Sequence, residues 1–279
     1  MNQYLSPAKL NLFLRITGRR DDGYHNLQSL FVKIDLYDTI ELSLRNDGII
    51  SRQINIDDID YDEDLNIKAA QLMKSYSSNK NDKNYGVDIK INKAIPMRAG
   101  LGGGSSNAAT ILSALNKLWD INLDKYKLAE LGLGLGADVP FFLHEKNCAW
   151  IEGIGEDIQE INLDKFYYIL VKPNVHASTK QIFTSDILIR NNPVLDKNNF
   201  IFNMNNIYKT GNTLEPVVTN IYPQILDWLA FQKRQGLNFR MTGSGSCFFC
   251  MFNDKLARDN NVSKINIPDN WKIYACENI

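Results

Sequence analysis

The sequence has 279 residues, of which 44% are hydrophobic and 23% charged, enough for one large or two ordinary globular domains. Its formal net charge of −1 excludes the strongly basic surface that nonspecific binding to nucleic acid or an anionic membrane requires. No apolar run approaches membrane-spanning length, and the first residues lack a basic segment followed by a long apolar one. We therefore expect a cytoplasmic protein that acts on a small molecule, with no nucleic-acid, membrane or obligate protein partner.

The four cysteines are too few and too scattered for a disulfide scaffold. Cys247 and Cys250 form a CxxC pair, but they lie in SCFFCMF, which is typical of a buried strand, and no second pair completes a zinc site. The three histidines argue equally against a histidine-based metal centre. The thiols are therefore predicted to be structural.

The first predicted element is a strand over residues 6–16, SPAKLNLFLRI. Its alternation places Leu10 and Leu12 on one face and Lys9 and Asn11 on the other. Pattern alone favours a half-exposed strand with a solvated lysine. The adjacent asparagine keeps open a second interpretation, in which Lys9 and Asn11 belong to a site.

The loop GRRDDGYH, residues 18–25, joins this strand to a second predicted strand, NLQSLFVKIDLYDTIELSL. Tyr24 and His25 at its end provide two flat rings, which could stack on a planar ligand or pack the loop down. Pattern alone favours packing. Farther along, the chain predicts a helix around Asn66 to Tyr76 and then a strand in GVDIKINKAIP.

The segment PMRAGLGGGSSNAATILSALNKLW, residues 96–119, places glycines and serines directly before a helix. Apolar residues at helical spacing predict that the helix begins near Ser105 and is buried. Ser105, Ser106 and Asn107 are types that cap a first helical turn. Glycines without a Cβ would let an anion lie against backbone N–H groups, so the segment predicts a phosphate cradle. The alternative is a tight connection without a ligand.

This cradle matches none of three common nucleotide motifs. No lysine follows Gly104 until Lys117, which excludes a P-loop. The sixth residue from Gly100 is Ser105, where a dinucleotide fingerprint has glycine. The protein-kinase HRD and DFG triplets are also absent. A phosphate site here belongs to another class.

The next predicted elements are a helix in LDKYKLAELG, capped at Asp124, and a sharp turn in GLGLGADVPFFL. Asp138 in this turn is either a helix cap or, beside a phosphate cradle, a general base or cation ligand. The second half predicts a strand in FYYILVKP, few periodic signals over residues 179–213 and a helix in PQILDWLAFQKRQG. NFRMTGSGSCFFCMF then predicts two strands joined by a tight turn. We expect two domains, residues 1–155 and 156–279.

Four of these segments, SPAKLNLFL, PMRAGLGGGSSNAA, LGADVPFF and MTGSGSCFF, resemble in this order the motifs of the galactokinase, homoserine kinase, mevalonate kinase and phosphomevalonate kinase superfamily. The loop GRRDDGYH narrows the resemblance to members that phosphorylate a cytidine diphosphate-linked alcohol in the non-mevalonate route to isoprenoid precursors. The motifs span residues 6–249. The resemblance implies an α+β, two-domain small-molecule kinase with its active site in the interdomain cleft, and ATP with Mg²⁺ as cofactors.

The resemblance also implies roles for individual residues. The catalytic pair of the superfamily corresponds to Lys9 and Asp138, with Asp138 as the base and Lys9 as its charge-stabilising partner. ATP-binding positions correspond to Lys93, Pro96, Gly100, Leu101, Gly102, Gly103, Gly104, Ser105 and Ser106. Positions that bind the acceptor substrate correspond to Asn11, Tyr24, His25, Phe183, Thr242, Gly243, Ser244 and Gly245. A serine at position 105 or 106 is a candidate ligand of the magnesium ion, but the resemblance assigns no metal ligand.

One segment departs from the pattern: DLNIKAA is one residue shorter than its counterpart in the superfamily, so the role of Asn66 in an adenine pocket stays unassigned. Two rival functions are a kinase acting on homoserine or mevalonate and a nucleotide-binding module without catalysis. The first would have no reason to keep GRRDDGYH. The second typically loses the acid or the lysine, whereas both Lys9 and Asp138 are present.

Overall fold

The computed structural model describes residues 2–53, 60–77 and 84–279, and it combines helices and strands as the α+β prediction requires. Two long strands begin the chain, β1 (Asn2–Arg19) and β2 (His25–Arg45). The next elements are β3 (Ile50–Arg52), α1 (Leu65–Ser77), β4 (Gly86–Asn92), α2 (Gly103–Leu118), α3 (Lys125–Leu135), α4 (Val139–Leu143), β5 (Cys148–Glu152) and β6 (Asp157–Glu160). The last are β7 (Tyr167–Lys172), α5 (Thr179–Thr184), α6 (Met204–Thr210), α7 (Glu215–Ile221), α8 (Pro223–Arg234), β8 (Arg240–Met241), β9 (Phe248–Phe252), α9 (Lys255–Val262) and β10 (Lys272–Glu277).

The chain divides into two compact units, each built from several stretches of sequence. Unit 1 comprises Met1–Ala8, Leu36–Ile95 and Gly102–Glu145. Unit 2 comprises Lys9–Asp35, Pro96–Leu101 and Lys146–Ile279. The domain boundary expected after residue 155 stays a prediction.

Unit 1 packs helices against the paired strands β2, β3 and β4. The carboxy-terminal part of β2 pairs antiparallel with β4, in a register that runs from Thr39 opposite Asn92 to Arg45 opposite Gly86. Strand β3 joins the other side of β4 in parallel. Helices α1 and α2 contribute the fully buried Ile67, Ile111 and Leu115 to one hydrophobic cluster with Ile40, Leu42 and Ile89 of the sheet. This core fixes the helix that follows the glycine segment.

Unit 2 contains a four-stranded antiparallel sheet in the order β10, β7, β9, β8. Its core joins Leu14 and Ile16 of β1 to Ile169 and Val171 of β7, and Trp228 of α8 packs against it. The amino-terminal part of β2 pairs with β5, which pairs in turn with β6. The turn between β8 and β9 is thereby anchored to this core at both of its ends.

The predicted strand at residues 6–16 is confirmed, but it is longer and buried on both faces. Lys9 is 3% exposed and Asn11 is 1% exposed, so the interpretation as a half-exposed strand with a solvated lysine is wrong. The reason is nonlocal: residues distant in sequence cover the polar face, among them Phe31, whose ring centroid lies 4.5 Å from Lys9 Nζ.

Helix α2 begins two residues earlier than predicted. Gly102 is its N-cap residue with a φ of 68°, and no side chain caps the helix. Ser106 N–H already donates to the Gly102 carbonyl, at 2.9 Å, so Ser105, Ser106 and Asn107 lie inside the helix and not at its cap. The capping interpretation is therefore wrong. A glycine can adopt the left-handed conformation that starts the helix, whereas a serine rarely does.

Several other predictions are confirmed. The Asp124 side chain caps α3 by accepting a hydrogen bond from Lys127 N–H at 2.9 Å. Strands β8 and β9 flank the predicted tight turn. The four cysteines are buried and unbridged, which agrees with a structural role. Residues 179–213, which have few periodic signals, nevertheless contain α5 and α6.

Within residues 2–53, 60–77 and 84–279, no helix combines the length and the apolarity needed to cross a bilayer. The same ranges contain no group of three or more histidine, cysteine, aspartate or glutamate side chains arranged to hold a metal ion.

Candidate active site

The glycine segment brings exposed backbone N–H groups to the start of α2. Gly100 and Gly102 both have positive φ angles, of 72° and 68°. The first N–H groups of an α-helix have no partner within the helix, and the helix dipole makes this end positive. Since Gly103 and Gly104 occupy the first turn without a Cβ, the backbone can approach an anion closely. The geometry therefore suits a phosphate group.

Lys93 lies beside this helix start. A Cβ built on Gly103 would be 3.4 Å from Lys93 Nζ. Lys93 Nζ donates to the carboxylate of Asp38, which also accepts N–H bonds from Ala94 and Ile95 at 2.9 Å. The side chain of Asn107 on α2 donates to the same carboxylate at 3.0 Å. The fully buried Asp38 thus fixes Lys93 relative to α2.

Asp38 was missed by the sequence reasoning. Its only local signal is an acidic residue within an apolar strand pattern, LYDTIEL, and that signal does not reveal its partners. A carboxylate with no exposed surface is stable only when it is paired or hydrogen-bonded, and Asp38 has four such donors.

The two serines of the first turn differ in their surroundings. Ser106 is fully buried, and its hydroxyl accepts a hydrogen bond from Ser6 at 2.8 Å. Ser105 is partly exposed, and a Cβ built on Gly136 would lie 3.9 Å from its Oγ. Ser105 therefore faces the turn that carries Asp138. A hydroxyl near a carboxylate-bearing turn fits Mg²⁺, which takes oxygen ligands and usually few of them from the protein.

Asp138 is partly exposed and precedes the one-turn helix α4. It has the position of an N-cap residue, but its side chain makes no capping hydrogen bond. The cap interpretation is therefore wrong for its carboxylate. Val139 and Pro140, the next two residues, are both buried and hold the backbone beside it, and Val139 belongs to the hydrophobic cluster of unit 1.

Lys9 and Asn11 point to the same side of β1 and contact each other. Lys9 Nζ donates to Asn11 Oδ1, and Asn11 Nδ2 donates to Ser29 Oγ at 3.0 Å. The backbone N–H of Lys9 donates to the carbonyl of Leu101 at 2.9 Å. The buried lysine is thus fixed directly against the glycine segment.

The turn between β8 and β9 reaches the same segment. Thr242 Oγ1 accepts a hydrogen bond from Asn11 N–H at 2.8 Å. A Cβ on Gly100 would be only 2.2 Å from the Thr242 carbonyl oxygen, so the two backbones touch there. Gly245 N–H closes the turn onto Thr242, at 3.0 Å, and Ser244 Oγ lies 3.1 Å from Thr179 Oγ1. Within unit 2, the turn therefore contacts both Asn11 and Gly100.

The aromatic residues predicted to bind the acceptor form a separate group within unit 2. The rings of His25 and Phe183 lie 5.3 Å apart at an angle of 41°. Tyr24 is 61% exposed, so the prediction that it packs its loop down is wrong. Its backbone is held instead, because Tyr24 N–H donates to Asp22 at 3.0 Å.

Arg190 is a second residue that the sequence reasoning missed. It donates to His25 Nε2 at 3.2 Å and to the Phe183 carbonyl at 3.0 Å. It lies in the stretch 179–213, whose polar composition gave no sign of this contact.

Asn66, left unassigned above, is buried at the start of α1, and its amide donates to Asp64 at 2.6 Å.

Comparison with known proteins identifies the family. Residues 64–146 match the family described as "GHMP kinases N terminal domain", and residues 195–268 match "GHMP kinases C terminal". GHMP stands for galactokinase, homoserine kinase, mevalonate kinase and phosphomevalonate kinase. These matches confirm the two-part superfamily fold that the motifs implied.

Two curated relatives and one solved structure have the same name. The 4-diphosphocytidyl-2-C-methyl-D-erythritol kinase of Herminiimonas arsenicoxydans is 42% identical over 100% of this chain and 95% of the relative. That of Neisseria meningitidis serogroup B is 41% identical over 99% of this chain and 94% of the relative. A crystal structure of 4-(cytidine 5'-diphospho)-2C-methyl-D-erythritol kinase superposes with a TM-score of 0.82 at 28% identity, covering 99% of this chain and 98% of the other. The chain therefore belongs to the 4-diphosphocytidyl-2-C-methyl-D-erythritol kinase family, a group of ATP-dependent small-molecule kinases within the GHMP superfamily.

Proposed function

We propose that the protein transfers the γ-phosphoryl group of ATP to the 2-hydroxyl of 4-diphosphocytidyl-2-C-methyl-D-erythritol, a step of non-mevalonate isoprenoid precursor synthesis. The observation that carries the choice of acceptor is the ring pair of His25 and Phe183. The resemblance implies one base-binding site for these two residues, which lie in segments far apart in the chain. Their ring centroids lie 5.3 Å apart. A flat base binds between or beside such rings by stacking.

The donor nucleotide would bind along the glycine segment. The phosphates of ATP would lie against N–H groups at the start of α2, with Lys93 close to Gly103. Leu101 and Pro96 belong to the loop that precedes this helix start. Phosphoryl transfer depends mainly on alignment and charge neutralisation, and fixed backbone dipoles provide both at little reorganisation cost.

Asp138 would act as the base. Its carboxylate would accept the proton of the acceptor 2-hydroxyl while that oxygen bonds to the γ-phosphorus and the bond to ADP breaks. A carboxylate has two oxygens that can each accept more than one hydrogen bond, so Asp138 can receive this proton alongside other contacts. Lys9, fixed by Asn11 and by the backbone of Leu101, would orient the reacting groups and stabilise negative charge on the transferred group.

Magnesium would be held by Ser105 and by the ATP phosphates, since Ser106 is buried and bonded to Ser6. When bound, the ion supplies charge neutralisation across the phosphate oxygens. The protein's own contribution is to keep the Ser105 hydroxyl directed at the turn of Gly136.

The acceptor would contact Asn11, Tyr24, His25, Phe183 and the turn from Thr242 to Gly245. Tyr24 is exposed and its backbone is held, so its ring can close on a base without rearrangement of the loop. The turn is held against Gly100, which would place acceptor-binding backbone next to the glycine segment. Action in the cytoplasm accords with the pathway proposed.

The test is ADP release by the purified protein with ATP and Mg²⁺, using 4-diphosphocytidyl-2-C-methyl-D-erythritol, homoserine, mevalonate or no acceptor. We expect turnover with the cytidyl acceptor alone. Turnover with homoserine or mevalonate instead would replace the proposed acceptor. ATP binding without turnover of any acceptor would indicate a nucleotide-binding module and reject the role of Asp138.

A further inference from the structure

The side chain of Arg190 connects the His25 ring of the proposed base site to the main chain of Phe183. Its Nε donates to His25 Nε2 at 3.2 Å. Its two terminal nitrogens donate to the carbonyls of Leu188, at 3.2 Å, Phe183, at 3.0 Å, and Ser185, at 2.8 Å. One guanidinium group thus bonds to His25 and to the backbone of Phe183.

The contacts with Phe183 and Ser185 hold the end of α5. This helix ends at Thr184, and the last carbonyls of a helix have no partner within it. A guanidinium group donates up to five hydrogen bonds and accepts none, so it can bond to several of these carbonyls at once. The position of the Phe183 ring therefore depends on Arg190 through the main chain.

The contact with His25 determines where the imidazole has its proton. Arginine stays charged in proteins and can only donate, so His25 Nε2 must offer a lone pair. A neutral imidazole with a lone pair on Nε2 has its hydrogen on Nδ1. The His25 ring would therefore present an N–H donor on the side away from Arg190.

We infer that Arg190 is a positioning residue for acceptor specificity, which fixes the ring of His25 in the Nδ1–H form and holds Phe183 beside it. This inference rests on the proposed function, because it explains how His25 and Phe183, the two residues proposed to bind the cytosine base, are held in position. Arg190 itself is assigned no contact with substrate. It would act on affinity for the cytidyl group and leave ATP binding unchanged.

The electrostatics agree with this geometry. Burial, and then the positive charges of Arg190 and Arg19, lower the pKa of His25 below its ordinary value of 6.5. The imidazole is therefore neutral at physiological pH. A lysine at position 190 would keep the positive charge, but a single ammonium cannot reproduce the planar set of donors that reaches both the His25 ring and the Phe183 carbonyl.

The experiment compares Arg190→Gln and Arg190→Lys with the wild type and with Arg15→Gln as the matched control. Arg15 also donates to a main-chain carbonyl, that of Pro193 at 2.9 Å, but has no part in the site. Steady-state kinetics would give KM for ATP and for the cytidyl acceptor separately. Nitrogen-15 NMR of labelled histidine would report the tautomer of His25, with the signal assigned by its loss in His25→Asn.

We expect an Nδ1–H tautomer in the wild type. Both Arg190 variants should raise KM for the cytidyl acceptor about tenfold or more and leave KM for ATP within about twofold, as expected for loss of base recognition worth about 1.4 kcal/mol or more. Arg15→Gln should change neither. An Nε2–H tautomer in the wild type, or equal increases in both KM values, would overturn the inference.

Two further outcomes are also decisive. If Arg190→Gln does not fold, the tautomer of the wild type and the kinetics of Arg190→Lys decide. If the wild type turns over no acceptor, the proposed function fails, and the inference about His25 is then decided by NMR alone. An Nδ1–H signal that is lost in Arg190→Lys would support it, and an unchanged signal would reject it.

Discussion

Asp138 and Asp124 occupy the same structural position before a helix, and only Asp124 caps its helix through its side chain. Aspartate before a helix usually caps it, as Asp124 does for α3 by binding Lys127 N–H. Asp138 has the same position before α4 and makes no such bond. The helix it precedes is started instead by Pro140 in its first turn and by burial of Val139.

Asp138→Asn should therefore separate catalysis from folding. The change preserves shape and removes the base, so we expect kcat to fall by roughly 10²- to 10⁴-fold, the usual contribution of a general base. Helix α4 should be unaffected, because the Asp138 side chain does not cap it. The measurement is kcat with saturating ATP and acceptor, together with circular dichroism of the folded protein.

The control for this substitution is Asp124→Asn, which makes the same chemical change at a true cap. Asparagine caps about as well as aspartate, so both stability and kcat should stay near those of the wild type. Near-normal turnover by a folded Asp138→Asn protein would remove the base role from Asp138.

Residues with partners close in sequence could be predicted, and those with distant partners could not. Lys9 and Asn11 were identified as neighbours because they alternate on one strand. Asp38 and Arg190 were missed, since their partners lie on elements that only the fold brings near: α2 for Asp38, and the start of β2 for Arg190. Tyr24 was placed wrongly because no local pattern tells an exposed aromatic ring from a packed one.

At the scale of elements, α3 and α4 are packed closely through a glycine. A Cβ on Gly132 would lie 2.9 Å from side-chain atoms of both Val139 and Leu143. Gly134, two residues along the same helix, has nothing within 4 Å of the corresponding position. Substitutions at Gly132 and Gly134 can therefore separate the effect of packing from the effect of helix propensity within one helix.

Alanine at these two positions should have opposite effects. Gly134→Ala should stabilise the protein by about 0.5–1 kcal/mol, because alanine has a higher helix propensity than glycine at an exposed position. Gly132→Ala should destabilise it by about 1–3 kcal/mol, because the added methyl overpacks the contact with α4. Urea denaturation of the two variants measures both. Equal effects of the same sign would mean that α3 and α4 do not pack as described.

The boundaries of elements were less predictable than their existence. The apolar period identified α2 and the buried strands, because core positions repeat regularly. The start of α2 was placed two residues late, since serines are common caps and the left-handed conformation of Gly102 has no sequence signature of its own. The length of β1 was also underestimated, because both of its faces are covered by other parts of the chain.

At the scale of the whole molecule, buried ionisable groups predict how stability depends on alkaline pH. Burial raises the pKa of Cys148 and Cys247 to about 12 and that of Cys250 to about 11, against 9.0 in an exposed thiol. Burial lowers the pKa of Lys33 from 10.5 to about 8. The two effects have opposite signs.

The folded thiols keep protons that the unfolded chain releases above pH 9. Their contribution to stability is present below pH 9 and is lost as the pH rises toward 11–12. Folded Lys33 loses its proton near pH 8, whereas the unfolded chain keeps it up to 10.5. Its unfavourable contribution therefore fades between pH 8 and 10.5.

We expect the free energy of unfolding to change little between pH 8 and 9, because the falling cost of Lys33 adds about 1 kcal/mol and the three thiols together remove about 1 kcal/mol. Above pH 9 it should decrease, because each of the three thiols removes about 2 kcal/mol by pH 10.5 and together they outweigh the lysine. Urea titrations under reducing conditions measure this. Lys33→Met should turn the flat interval between pH 8 and 9 into a fall of about 1 kcal/mol, and the exposed Lys233→Met should not. An interval that stays flat in Lys33→Met would assign the compensation to another group.

The interleaving of the two units has a consequence for gene exchange. Unit 1 and unit 2 alternate along the chain, with crossings after Ala8, Asp35, Ile95, Leu101 and Glu145. A single recombination point anywhere in the gene therefore leaves at least one unit with segments from two different parents. Viable hybrids with a relative should inherit blocks that match these crossings, and neither unit can be passed on as one uninterrupted stretch of coding sequence.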